Sequence, residues 1–119
     1  MTASGDMTGF ARRGGVLQAE GIPLPAIAEA VGTPAYVYSQ GMIETQYAAL
    51  KSAFSSHDPL LAYAMKANSN QAILALLARL GAGADIVSGG ELERAVTAGM
   101  PPERIVFSGV AKTGAEIAR

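Results

Sequence analysis

The sequence contains no cysteine, no tryptophan and one histidine among its 119 residues. Without cysteine, this chain offers no disulfide scaffold, no thiolate zinc site and no cysteine nucleophile. An excess of one charge is missing too, because nine basic residues stand against ten acidic ones, for a net charge of −1. Binding to a nucleic-acid backbone needs a basic surface, so we expect no nucleic-acid partner.

Long apolar runs are also missing. The longest, residues 59–65 and 72–78, are far shorter than the ~20 residues that cross a bilayer. The first residues are small and polar, and no charged segment leads into an apolar one, so no secretory signal is predicted. We therefore expect no membrane association and a cytoplasmic location. Half of the residues are hydrophobic and 16% are charged, which is typical of a folded domain rather than a disordered chain.

The sequence alternates between strand and helix signals. Strands are predicted to start near residues 35, 60, 84 and 105, at intervals of 25, 24 and 21 residues. The predicted helices between them run from an N-cap at Ser39 to a break at residues 57–59, over 71–80 to Gly81, over 91–98 to Gly99, and from Thr113 to Arg119. Such alternation predicts βαβ units and a parallel sheet, and therefore an α/β fold.

Two α/β architectures have this period, the dinucleotide-binding sheet and the (β/α)8 barrel. The first requires a G-x-G-x-x-G turn after its first strand, whereas Ser39-Gln40-Gly41-Met42 follows the strand predicted at residue 35. The pattern therefore favours a barrel, which needs ~250 residues, so the chain would hold roughly its first half. The capping-box spacing of Thr113 and Glu116 predicts the start of a helix, and only three residues follow Glu116. We expect the chain to be the front part of a longer protein.

The first residues differ in pattern from the rest. Residues 14–21 predict a turn and a short strand, and residues 25–31 predict a short helix that begins at a proline and ends at Gly32. Pro34 disfavours helix at the residue before it and favours extended backbone. We therefore divide the chain into an N-terminal extension, residues 1–32, and the first part of a barrel domain, residues 33–119.

Lys66 is the residue whose position suggests chemistry. It follows the most hydrophobic predicted strand, at the end where (β/α)8 barrels carry their active sites. Desolvation by Leu61, Tyr63 and Met65 would lower the pKa of its amine and make it a nucleophile. The alternative is a lysine that simply extends its amine into solvent. Position alone leaves both interpretations open.

The segment Tyr63-Ala64-Met65-Lys66-Ala67-Asn68 resembles the cofactor attachment site of pyridoxal-phosphate-dependent decarboxylases with the alanine-racemase fold. The similarity continues at Ile73, Leu74, Leu77 and Gly81, and in the blocks 32–38, 83–92 and 102–113, and it covers roughly residues 10–119. It implies a partial alanine-racemase-type (β/α)8 barrel and an amino-acid substrate. Within the family the blocks favour meso-diaminopimelate, which would yield L-lysine and CO2, with ornithine or arginine as alternative substrates.

The resemblance implies that Lys66 binds pyridoxal 5'-phosphate covalently and that Asp85 lies near the lysine and the cofactor. Asp85 has an alternative role in local turn hydrogen bonds. Ser88 and Glu91 match family positions, but their spacing is also that of a capping box, which we favour. Lys112 follows Val110-Ala111, where many relatives carry an asparagine-bearing turn, so its role stays open. His57 is expected at the surface, and no metal site is expected.

The resemblance also implies parts that these 119 residues do not contain. They are a histidine stacked on the cofactor ring, a glycine-rich phosphate loop, a glutamate on the ring nitrogen, a cysteine motif and a tyrosine from a partner subunit. A homodimer is therefore expected for the full-length protein, and no activity for this chain alone. A non-catalytic cofactor-binding relative is the alternative from another functional class. Lys66 argues against it, because such a protein needs no reactive amine.

Overall fold

The computed structural model describes residues 9–118 and divides into two compact units, Met1–Ala53 and Phe54–Arg119. The first unit contains an antiparallel sheet of three strands in chain order. Its elements are β1 (Phe10–Arg13), β2 (Val16–Ala19), β3 (Ile22–Pro23), α1 (Leu24–Val31) and α2 (Gln40–Ala53). The predicted short strand and the predicted proline-initiated helix are confirmed as β2 and α1, whereas β1 and β3 were not predicted.

Hydrogen bonds at Ser39 define the start of α2. The Ser39 hydroxyl accepts a hydrogen bond from the backbone N–H of Met42 (3.0 Å) and donates one to the carboxylate of Glu20 (2.6 Å). The same Glu20 oxygen accepts a bond from the N–H of Gly41 (2.7 Å). These two bonds lower the pKa of Glu20 below its ordinary value, and the bond from Ser39 has the larger effect. The predicted N-cap at Ser39 is confirmed.

The strand predicted at residues 35–38 is wrong. This segment forms no strand, and its side chains at Tyr36 and Tyr38 are 91% and 54% exposed. Pro34 favours extended backbone locally, but a strand also requires a neighbour to share its hydrogen bonds. Within residues 9–118, no strand pairs with this segment.

The second unit contains a parallel sheet of three strands in the order β4-β5-β6. Its elements are β4 (Ala62–Ala64), α3 (Gln71–Leu80), β5 (Gly83–Ile86), α4 (Gly89–Thr97), β6 (Ile105–Phe107) and α5 (Gly114–Ile117), with 3-10 turns at Met65–Ala67 and Pro102–Arg104. The predicted α/β alternation and parallel pairing are confirmed from residue 60 onward. The last residue of the fourth predicted helix, Arg119, lies outside the described residues.

Capping residues explain the bounds of α3. The side chain of Asn70 accepts a hydrogen bond from the N–H of Ala72 (2.9 Å), which caps the N-terminus. At the other end Gly81 adopts the left-handed conformation, with φ of 89°, which glycine enters without a steric cost. Both signals are local, and the predicted helix 71–80 is confirmed.

The core of this unit lies on one face of the sheet. Alternate residues Ala84 and Ile86 of β5 are 0% and 1% exposed, and Met65 is 0% exposed. They are joined in the core by Leu74, Leu76, Leu77, Ala82, Ala95 and Met100. Strands buried on both faces were expected, and that expectation is wrong here, because Leu60 and Val106 are 44% and 47% exposed.

The described helices also bear on the membrane question. Among the helices of residues 9–118, none combines the length and the apolar character that crossing a membrane requires. The longest, α2, has 14 residues.

Candidate active site

Parallel strands bring their C-terminal ends to the same edge of a sheet. Ala64 of β4 is in register with Asp85 of β5, which is in register with Val106 of β6. Lys66 follows β4 by two residues, and Ser108 directly follows β6. All three polar side chains therefore belong to one edge. We call it the C-terminal edge, and it comprises residues 64–67, 85–88 and 106–109.

Lys66 lies in the 3-10 turn Met65–Ala67 that ends β4, and its side chain is exposed. Met65 is fully buried and anchors the turn. Because Met65 points into the core, its neighbour Lys66 points away from it. The expected desolvation of Lys66 by its apolar neighbours is therefore wrong for this structure. The turn instead presents an accessible amine at the C-terminal edge, as attack on a carbonyl group requires.

Hydrogen bonds fix the backbone on the far side of Lys66. The Tyr63 hydroxyl donates to the backbone carbonyl of Asn68 (3.0 Å), and the Asn68 side chain accepts from the N–H of Asn70 (2.9 Å). Tyr63 precedes Lys66 and Asn68 follows it, so the first bond closes a loop around the lysine. These hydrogen bonds therefore fix the path of the backbone from β4 to the start of α3.

A contact from α4 adds to this restraint. Arg94 donates two hydrogen bonds to the backbone carbonyl of Ser69, from Nε (3.1 Å) and from Nη2 (2.9 Å). The Gln71 side-chain amide donates to the backbone carbonyl of Arg94 (3.3 Å). Sequence reasoning missed Arg94, since the two partners are 25 residues apart and no local signal links them.

Asp85 is half-buried and lies in β5 between the buried residues Ala84 and Ile86. Its side chain is thus on the face opposite the core, where Ala62, Ala64 and Val106 also lie. The Ser108 hydroxyl donates a hydrogen bond to Asp85 Oδ1. That partner comes from the end of the neighbouring strand, 23 residues away, rather than from a local turn. Sequence reasoning missed Ser108, and its place directly after a strand was the available signal.

The side chains of Ser88 and Glu91 both accept backbone hydrogen bonds at the start of α4. The Ser88 hydroxyl accepts from the N–H of Glu91 (3.2 Å), so the predicted N-cap is confirmed. The reciprocal half of the capping box is wrong, because the Glu91 carboxylate accepts from the N–H of Val87 (2.7 Å) instead of that of Ser88. The Glu91 side chain therefore bonds the N–H of the residue that precedes the N-cap.

The predicted capping box at α5 is confirmed. Thr113 Oγ1 accepts from the N–H of Glu116 (3.3 Å), and the Glu116 carboxylate accepts from the N–H of Thr113 (2.9 Å). Glu116 also accepts from the N–H of Gly89 at the start of α4 (3.0 Å). The hydrogen bonds from Thr113 and Gly89 lower the pKa of Glu116. One carboxylate therefore serves the N-termini of two helices.

Lys112 is not on the face of the sheet that carries Asp85. The Lys112 amine lies 5.4 Å from the centroid of the Phe107 ring. Phe107 is in register with buried Ile86 and so belongs to the core face. A pocket of about 520 Å³ lies on that side, lined by Ile86, Leu92, Pro102, Ile105, Phe107, Lys112, Glu116 and Ile117. His57 is exposed beside Ser56, and its predicted surface position is confirmed.

The residues at the C-terminal edge fit a flat, electrophilic cofactor. Lys66 offers an accessible primary amine, and Asp85 offers a carboxylate on the neighbouring strand. The adjoining face of the sheet carries the small residues Ala62 and Ala64, which leave room for a ring. Within the described residues 9–118, no three His, Cys, Asp or Glu side chains are grouped as a metal ion would need.

The comparison with known protein families gives one match over most of the chain. Residues 40–119 match the family described as pyridoxal-dependent decarboxylase, pyridoxal binding domain. A diaminopimelate decarboxylase from Pseudomonas fluorescens is 55% identical over 113 residues, which are 95% of this chain and 27% of that protein. The chain thus spans about a quarter of the length of the curated relatives that it matches.

Solved structures are similar over nearly the same part of the chain. A diaminopimelate decarboxylase from M. jannaschii, crystallised with L-lysine, has a TM-score of 0.86 and 41% identity over 91% of this chain and 26% of its own. A lysine/ornithine decarboxylase from Vibrio vulnificus, crystallised with cadaverine, has a TM-score of 0.72 and 28% identity over 80% of this chain and 26% of its own.

Proposed function

This chain belongs to the pyridoxal-dependent decarboxylases, in their pyridoxal binding domain, and on that premise we propose that it is part of a diaminopimelate decarboxylase. The full-length protein would convert meso-diaminopimelate to L-lysine and CO2, with pyridoxal 5'-phosphate as cofactor. The observation that carries the proposal is the exposed Lys66 at the C-terminal edge of a parallel sheet, inside the matched residues.

Lys66 would hold the cofactor covalently. Its Nζ is the nucleophilic atom through which the chain would hold the cofactor. When bound, the cofactor accepts electron density from the substrate α-carbon and so allows the carboxylate to leave as CO2. The Lys66 amine would also deliver a proton to the substrate α-carbon after CO2 has left.

Two restraints support these tasks. Tyr63 and Arg94 donate hydrogen bonds to the carbonyls of Asn68 and Ser69 and so restrain the backbone after Lys66, which leaves less of the chain to be ordered when the cofactor binds. Asp85 would supply a negative charge at the same edge, to interact with a positively charged group of the cofactor or with the Lys66 amine.

The choice of substrate rests on identity. The chain is 55% and 41% identical to two diaminopimelate decarboxylases and 28% identical to the lysine/ornithine decarboxylase. Ornithine and arginine are the alternative substrates. A cofactor-binding relative without turnover is the other alternative, and because it would also hold the cofactor through Lys66, CO2 release is what separates the two.

The proposal extends to architecture and assembly. Residues 33–119 would form the first part of an alanine-racemase-type (β/α)8 barrel domain, with β4, β5 and β6 as neighbouring barrel strands, and residues 1–32 an N-terminal extension. The TM-score of 0.86 to the M. jannaschii enzyme supports this arrangement. A homodimer and a cytoplasmic location complete the proposal, in keeping with a small amino-acid substrate.

The test is a CO2-release assay on the full-length protein that contains this chain. With added pyridoxal phosphate, we expect turnover of meso-diaminopimelate and little turnover of L-ornithine or L-arginine. Lys66→Arg should abolish turnover, because arginine stays protonated and supplies no free amine. Lys51→Arg, an exposed lysine near the end of α2, is the matched control and should keep turnover. Preferred turnover of ornithine, or an active Lys66→Arg variant, would overturn the proposal.

A further inference from the structure

We propose that Ser108 is a positioning residue, whose hydroxyl holds the Asp85 carboxylate in the orientation that serves the cofactor at Lys66. The inference rests on the proposed function, and it assigns a role to a residue that sequence reasoning did not single out. Its basis is the hydrogen bond from Ser108 Oγ to Asp85 Oδ1.

The structure fixes Ser108 through its backbone. The N–H of Ser108 donates to the carbonyl of Ile86 (2.9 Å), which continues the pairing of β5 and β6 by one step. The next residue, Gly109, is buried, and a Cβ there would lie 2.7 Å from the backbone oxygen of Val87. Only glycine allows the chain after β6 to lie this close to the end of β5. Ser108 is thereby held beside Asp85.

Asp85 has few other partners of the right chemistry on its face of the sheet. Its neighbours in register, Ala64 and Val106, carry no side-chain hydrogen-bond donor. Ser108 engages Oδ1, so Oδ2 is the oxygen left for the Lys66 amine or the cofactor. A hydrogen bond to a carboxylate is charge-assisted and therefore stronger than one between neutral groups. Ser108 thus selects one orientation of the Asp85 side chain.

The test is a double-mutant cycle in the full-length protein, with Ser108→Ala, Asp85→Asn and the double variant. The readout is the apparent dissociation constant of pyridoxal phosphate, followed through the absorbance of the cofactor bound to Lys66. We expect Ser108→Ala alone to weaken binding by about tenfold, the effect of losing one hydrogen bond to a charged group. In the Asp85→Asn background it should add nothing, because a residue that acts through Asp85 has no effect once Asp85 is replaced.

Further variants separate positioning from general damage to the fold. Ser108→Thr keeps the hydroxyl and should retain cofactor affinity, whereas Ser108→Cys keeps the size with a poor donor and should lose affinity as Ser108→Ala does. Ser56→Ala removes an exposed hydroxyl that bonds only its neighbour His57 among the contacts described, and it should change nothing. The kcat should fall with Ser108→Ala while the melting temperature stays close to that of the unmodified protein.

The outcomes distinguish this inference from the proposed function. If borohydride reduction leaves the cofactor on Lys66, and Ser108→Ala does not change the dissociation constant, the inference is overturned and the proposed function stands. An equal loss in both backgrounds of the cycle would also overturn it, since Ser108 would then act independently of Asp85. If no cofactor is found on Lys66 after borohydride reduction, the proposed function fails, and the inference fails with it.

Discussion

Arg94 of α4 donates two hydrogen bonds to the backbone carbonyl of Ser69, three residues after Lys66 in the chain. A guanidinium can place two N–H groups on one oxygen, which a lysine amine cannot match in geometry. The contact ties the turn after Lys66 to a helix 25 residues further along. It therefore makes α4 part of the support of the candidate active site.

We expect Arg94→Gln to lower the free energy of unfolding by about 1 kcal/mol, because the two hydrogen bonds that it removes share one acceptor and are exposed to solvent. The same variant should reduce cofactor affinity, because the backbone after Lys66 gains freedom. Urea unfolding and a cofactor titration of the full-length protein measure the two effects. Arg79→Gln, an exposed arginine of α3, is the control. Equal behaviour of the two variants would show that the Arg94 contact does not support the turn.

The Glu116 carboxylate predicts a dependence of stability on pH. Its pKa is lowered in the folded chain below the ordinary 4.5, through the bonds from Thr113 and Gly89. A carboxyl with a lowered folded-state pKa stabilises the fold above its unfolded pKa, and this stabilisation is lost as the pH falls through the folded pKa. The loss should therefore occur at pH values below 4.5.

The variant Glu116→Gln tests this dependence in melting curves recorded between neutral and acidic pH. Because glutamine does not titrate, the difference in melting temperature between the two proteins should shrink as the pH falls. Glu103→Gln, at an exposed position, should leave the pH profile of the parent unchanged. A constant difference between Glu116→Gln and the parent at all pH values would argue against a role of the charge.

Gly83 is required by the close approach of β5 to the 3-10 turn that precedes β6. A Cβ at this position would lie 2.0 Å from the backbone oxygen of Arg104 and 3.0 Å from Leu60 Cδ1. Since the first of these is backbone, the 3-10 turn must move away from β5 to accept a methyl group. We expect Gly83→Ala to cost about 3 kcal/mol of unfolding free energy, at the upper end of the usual overpacking range.

Gly114→Ala is the matched control, because nothing lies within 4 Å of a Cβ built there. It should change stability by less than about 0.5 kcal/mol, as most surface substitutions do. Chemical denaturation of both variants in the full-length protein gives the comparison. Similar stabilities of the two variants would show that β5 and the 3-10 turn before β6 are not held this close together.

Local signals account for the parts of the fold that were predictable. The bounds of α3 followed from Asn70, Gly81 and the leucines between them, all of which act within one helix. The strand expected at residues 35–38 failed because a proline can favour extended backbone but cannot supply a pairing partner. The prediction that the strands are buried on both faces was wrong for a related reason, since burial depends on what else packs against the sheet.

The candidate site was predictable in part. Lys66 could be found from its position after an apolar run and from the resemblance of its surroundings to a known attachment site. The contacts of Ser108 and Arg94 could not, because their partners lie 23 and 25 residues away. Pairings of that kind depend on the register of the sheet, which no periodicity in the sequence specifies. The exposure of Lys66 likewise depends on how Met65 is packed.

The chain made alone should not decarboxylate diaminopimelate. Its described residues contain three parallel strands, whereas a (β/α)8 barrel needs eight to close. An open sheet also leaves unpaired edges, which favour aggregation. Expression of these 119 residues, with CO2 release measured beside the full-length protein, is the check. Turnover by a soluble monomeric form of the chain would contradict the proposed partial barrel.

The attachment of the cofactor to Lys66 is the central claim, and borohydride reduction tests it directly. The full-length protein is loaded with pyridoxal phosphate, reduced, digested and mapped by peptide mass spectrometry. We predict that the reduced cofactor is found on Lys66 alone, and that the Lys66→Arg variant carries none. Attachment to Lys51, to Lys112 or to no lysine of this chain would contradict the account.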